Sequence, residues 1–179
     1  MKAFRSGLFA IALVMSGLGD VGLAQAPAVA AAPVPQAVLS AKKIFVANAG
    51  SDAGMFPHPF SGGPDRGYNQ FYAAMKGMGS YELVGSPAEA DLVLELRLHA
   101  PSGPANADKT KGASDPLPMF RLVIYDAKTH YVLWALTESI EGAALQKTHD
   151  RHFDDAMTAL VGDWKKMVSG TSAGSATGN

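Results

Sequence analysis

The chain has 179 residues, with 15 Lys and Arg against 16 Asp and Glu, a net charge of -1, and no cysteine. So even a balance predicts no attraction to nucleic acid or to an anionic membrane. The missing thiol excludes disulfides, thiolate zinc sites, a cysteine nucleophile and the lipid-bearing cysteine of a bacterial lipoprotein.

Lys2 and Arg5 precede an apolar run over 8–15, and small residues follow to Ala24. This is the layout of a secretory signal peptide, because the run is far shorter than the roughly 20 residues of a bilayer-spanning helix. Cleavage is expected after Ala24, since cutting after Ala26 would set Pro27 beside the scissile bond, where its fixed φ fits an extended peptidase-bound backbone poorly. Removal of 1–24 leaves 13 basic and 15 acidic residues, a net charge of -2. The released protein is expected to be periplasmic or secreted, with no membrane anchor after signal cleavage.

Residues 25–40 carry no charge and hold Pro27, Pro33 and Pro35, so they read as a mostly extended Ala/Pro-rich tether. Residues 169–179 are Ser, Gly, Ala and Thr with a final Asn and are expected to be disordered. Between them, 41–168 reads as one α/β domain. About 130 residues bury roughly two thirds of their unfolded surface, enough for a core without cross-links.

In chain order, 43–47 is a short apolar β-branched run, the pattern of a strand buried on both faces. Residues 66–78 place Tyr68, Phe71, Tyr72, Met75 and Met78 at helical spacing, with Asp65 as expected N-cap and Gly79 at the left-handed closing position. Residues 81–84 form a short strand. From 91 to 99, Leu92, Leu94, Leu96 and Leu98 alternate with Val93, Glu95, Arg97 and His99, so one face is core and the other at least partly wet. Residues 120–125 and 131–140 form a hairpin closed by 126–130, where Asp126 accepts from backbone N–H groups and His130 takes the positive-φ position. A final helix from about 150 to 168 carries the stripe Phe153, Met157, Leu160, Trp164 and Met167, and its Gly162 is expected to mark close packing. The order β-α-β-β-β-β-α predicts a mixed sheet of about five strands with two helices packed on one face.

The stretches Ala90 to Leu96 and Leu122 to Thr129, the pair Leu133-Trp134 and the closing amphipathic helix resemble the small envelope modules of Gram-negative bacteria. Examples are the TolB amino-terminal domain and CsgG-like periplasmic proteins. In such modules a strand ends in an Asp-x-x-Thr-Gly turn; here His130 replaces the glycine. Secreted bacterial proteins are also similar along 50–72 and 106–120. The resemblance implies an α/β module, an envelope compartment and a role in assembly or binding. It carries over no catalytic residue.

Two loops, 48–64 and 100–119, exceed the roughly 12–15 residues of ordinary connections. If the first strand is parallel to its neighbour, the 48–64 loop opens at a carboxyl edge, where α/β sheets commonly bind ligands. That would gather Asp52, His58, Asp65, Arg66 and Tyr68 around one mouth. The competing use is structural: Asp65 caps, Tyr68 packs, and Phe56 and Phe60 cover the sheet edge. The segment 62–65 lacks the lysine of a phosphate-binding loop, and no Gly-x-Ser-x-Gly nucleophile turn occurs. His149, His152 and Asp155 do not form a His-Glu-x-x-His pattern, so neither a metal nor a cofactor is expected. Glu95, Arg97 and His99 read as a solvated or ion-paired sheet face. The expectation is an exported non-enzymatic binding or envelope-assembly module, acting on an envelope protein or a cell-wall component. The alternative is a small periplasmic hydrolase or carbohydrate-active enzyme using the 48–66 loop.

Overall fold

In the computed structural model, which describes residues 32–101 and 117–170, the elements run α1 (Gln36–Ser40), β1 (Lys43–Ser51), α2 (Arg66–Met78), β2 (Glu82–Leu83), a 3-10 turn (Pro87–Glu89), β3 (Leu92–His99), β4 (Met119–Asp126), β5 (Val132–Ser139) and α3 (Gln146–Val168). The signal segment, most of the tether, the tail after 170 and the centre of the second long loop lie outside the described residues. The fold is α+β, with a five-stranded mixed sheet in the order β2-β1-β3-β4-β5. β1 runs parallel to β2 and β3, while β3, β4 and β5 are antiparallel in series.

The period-two pattern of β3 is realised in full: Leu92, Leu94, Leu96 and Leu98 are buried. Ile44 and Val46 of β1 and Phe120, Leu122 and Ile124 of β4 share that face, which α2 and α3 cover with Phe71, Met75, Phe153, Leu160 and Trp164. At Gly67 the covering is close, since a Cβ there would stand 3.0 Å from Phe120. The opposite sheet face has no helix on it among the described residues.

Several local expectations hold. Helix α2 spans the residues its spacing marks, and Gly79 closes it at φ 65°. In the hairpin, Asp126 Oδ1 accepts from the N–H groups of Lys128 and Thr129, and His130 sits at φ 59°.

Others do not. Residues 36–40, read as the end of an extended tether, form α1, because turning here lets Val38 enter the core at 1% exposure. β1 continues past 47 through a bulge between Asn48 and Ser51, with Gly50 at φ 76°, so the long connection starts at Asp52. β2 is only two residues long. Helix α3 begins at Gln146, a turn early, where Gln146 Nε2 donates to the Pro57 carbonyl. Gly162 faces open space rather than a close neighbour, and it lines a groove between α2 and α3. Asp65 stands at the N-cap of α2, yet its side chain makes no capping bond.

Candidate functional site

The five residues predicted to ring one mouth go to different places. Asp52 turns back onto the end of β3. Its Oδ1 accepts from Arg97 Nε at 3.2 Å and Nη2 at 2.6 Å, and its Oδ2 accepts from the Ala100 N–H at 2.9 Å and lies 2.7 Å from His99 Nδ1. The Ala100 N–H first, then Arg97, hold the Asp52 carboxyl down at about 2. An ionised carboxylate only accepts, so His99 Nδ1 is the donor.

Arg66 belongs to a second cluster. Its Nη1 donates to Asp150 Oδ1 and to the Ser61 carbonyl, and its Nη2 donates to Asp154 Oδ1 at 2.8 Å. The guanidinium also lies 4.3 Å from the Phe153 ring centroid. Ser61 donates both its N–H and its hydroxyl to Asp150. Burial works against the Arg66 charge, but Asp150 and Asp154 more than offset it and raise the Arg66 pKa above its ordinary value. The cluster ties the 52–65 segment to the first turns of α3. Phe60, 1% exposed, packs on Phe153 directly beside it.

Asp65 accepts from Asn48 Nδ2 at 2.7 Å, pinning β1 to the start of α2. Tyr68 packs beside Tyr72, and His58 is exposed. The cavity that Tyr68 lines with Asn48, Pro64 and Leu96 holds only about 10 Å³, room for a single water at most. The predicted five therefore do not converge on a pocket: Asp52 belongs to the end of the open sheet face, Arg66 and Asp65 to the scaffold, and His58 to solvent.

The residues that do converge with Asp52 are Arg97 and His99, which sequence reading assigned to a solvated or ion-paired face. On that face, which carries no helix among the described residues, Arg97 stands directly opposite Arg121, His99 opposite Met119, and Glu95 opposite Val123, itself 7% exposed. Phe45 and Val93 pair on the same side, and Tyr125 donates to Glu95 Oε1 at 3.4 Å. The result is a mixed polar and aromatic surface on three strands. Its signal in the sequence was the alternation of β3, which fixes a shared face but not the distant carboxylate that meets it.

His149 and His152 diverge: the first stacks edge-on to Phe60, and the second donates from Nδ1 to the Glu141 carbonyl. Among the described residues no group of three or more His, Cys, Asp and Glu is placed to hold a metal ion, and no helix is long and apolar enough to cross a membrane.

No protein-family model and no curated protein sequence matches the chain. Solved structures do match. A PelC dodecamer from Paraburkholderia phytofirmans is 13% identical over 66% of this chain and 86% of that chain, with a TM-score of 0.38. Protein XCC0632 from Xanthomonas campestris is 13% identical over 73% and 86%, at 0.42. Lipoprotein GNA1162 from Neisseria meningitidis is 13% identical over 70% and 99%, at 0.36. Likeness at that level assigns no residue a role.

Proposed function

We propose that this chain is an exported, non-enzymatic binding module of the bacterial envelope. Its open sheet face, beside the Asp52, Arg97 and His99 cluster, holds an envelope protein or a cell-wall component. The observation that carries the reading is that the cavity left at the expected mouth holds about 10 Å³, while Arg97 and His99 of β3 and Arg121 of β4 lie on the sheet face that no helix of the described residues covers. Catalytic sites bury most of a ligand in a cleft of several hundred Å³. A flat face of aromatic, Arg and His side chains suits recognition of a larger partner. The export layout of residues 1–24 supports the compartment.

A photo-crosslinker placed at Val93 or Arg121 in cells is expected to give a discrete adduct that the same probe at Lys76, exposed on α2, does not give. Equal labelling from all three positions counts against the reading. One observation favours a second reading, a hydrolase: Asp52 orients His99 through Nδ1 as the acid of a triad orients its base. Turnover of an ester, peptide or glycoside that is lost in folded Asp52→Asn and His99→Gln variants would establish it and sink the binding module.

A further inference from the structure

Arg97 faces Arg121 across β3 and β4, and Thr137 follows in register on β5, so one row of the open sheet face reads Arg, Arg, Thr across three strands. Neighbouring strands lie about 4.8 Å apart, and like charges set directly opposite each other destabilise a sheet. A carboxylate offsets only half of this pair. Asp52 takes Nε and Nη2 of Arg97, which leaves Nη1 without a partner. Arg121, exposed, makes no hydrogen bond, ion pair or ring contact among the described residues, and the hydroxyl of the exposed Thr137 is equally unengaged there. The one carboxylate on the open side of β3 and β4 is Glu95, a row away opposite Val123; it accepts from Tyr125 at 3.4 Å and forms no ion pair with either arginine. The chain thus keeps a repulsive pair, with most of its donors free, on a surface where either arginine could be replaced without loss of packing.

We infer that this row anchors the partner of the open face, with Arg121 and the free nitrogen of Arg97 gripping a carboxylate on an acidic segment of a protein; the inference rests on the binding-module reading above. Charge selects the group. Two guanidiniums against the single Asp52 carboxylate leave one positive charge, which a carboxylate monoanion matches, whereas a phosphate dianion would leave an excess negative charge one row from Glu95. Geometry agrees, because a guanidinium fork takes a carboxylate through two parallel N–H bonds, and the Thr137 hydroxyl adds a donor beside it. The open surface selects the carrier. It has no walls to enclose a small free acid, so the carboxylate must be held there by a larger molecule. Met119 flanks the row on one side, and Val93 and Tyr125 lie beyond Glu95 and Val123 on the other. Arginine among aromatic and apolar side chains is the composition of a protein–protein interface.

The test uses the full chain with and without Arg121→Gln. That variant is expected to fold and to melt no lower than the parent, since it relieves the like-charged pair; a lower melting temperature makes Arg121 part of the scaffold and overturns the inference. Sodium acetate is the carboxylate probe: by NMR the Arg121 Nε–H resonance should shift with acetate more than with sodium chloride at equal ionic strength, and inorganic phosphate should act no more strongly than acetate. Equal shifts with acetate and chloride, or a stronger response to phosphate, overturn it. In cells, the adduct from a photo-crosslinker at Val93 should fall about tenfold when Arg121→Gln is added, the loss expected for a hydrogen-bonded charge pair, and the cross-linked segment of the partner should carry Asp or Glu. A probe at Arg121 itself removes one guanidinium, so it should label the same partner more weakly than the probe at Val93. An adduct undiminished by Arg121→Gln, or one formed on a glycan, overturns the carboxylate anchor and leaves the open face as a binding surface. Absence of any adduct in the parent sinks both.

Discussion

Replacing Arg66 by Met keeps the unbranched stem over Phe153 and removes the fork. Asp150 then retains only the two Ser61 donors, and Asp154 only Gln70 Nε2. Breaking a fully buried ion pair costs about 3–5 kcal/mol, and an exposed pair about 0–1. With side-chain exposures of 16% for Arg66 and 23% for Asp150, the loss falls between these limits, at about 2–3 kcal/mol. For a domain of this size that corresponds to a fall of roughly 6–12 °C in melting temperature. The segment 52–65 should lose amide-exchange protection more than the sheet does. Asp154→Asn, at a carboxylate 54% exposed, should cost under about 1 kcal/mol. A residue kept for a ligand behaves in the opposite way, since its removal commonly leaves stability unchanged or raises it. An Arg66→Met protein melting within about 2 °C of the parent would refute the staple and return Arg66 to the list of ligand contacts.

Asp52 has a folded pKa of about 2 against an ordinary 3.8, so its contribution is full above the ordinary value and is lost as pH falls through the folded one. Urea midpoints between pH 5 and 2 should show Asp52→Asn losing about 1–2 kcal/mol less than the parent. Glu138 behaves with the opposite sign: burial and then Asp163 raise its pKa to about 7, so the folded state binds the extra proton and stability declines from about pH 4.5 to 7. Glu138→Gln should flatten that decline and leave a protein more stable than the parent at pH 8. Gly162→Ala, with nothing within 4 Å of the added Cβ, should stabilise α3 by about 1 kcal/mol in thermal melts, while Gly67→Ala should destabilise against Phe120.

What the sequence made legible was local. The spacing of Tyr68, Phe71 and Met75 with Gly79 behind them marks α2, the alternating leucines mark β3, and Asp126 with His130 marks the hairpin. Each is written within a dozen residues. The tether's last turn escaped because a single buried valine, Val38, decides it against three prolines upstream. Gly162 was misread because a glycine in a helix signals either close approach or open space, and only the neighbouring helix tells which. The site was least legible. Arg66 finds its carboxylates 84 and 88 residues onward, and Asp52 finds Arg97 and His99 45 and 47 onward. No periodicity carries such pairings, so the 52–65 segment looked like a free mouth when Asp52, Ser61 and Asp65 already had partners.

Those separations also set the order in which the segment becomes protected. Loop 52–65 is held at one end by β3 and at the other by the first turns of α3, so neither anchor exists until most of the chain has been delivered. Contacts of such span form after local helices and hairpins have shortened the intervening chain. Until α3 docks, 52–65 is therefore a stretch open to proteases. Its resistance to cleavage then reports that folding is complete.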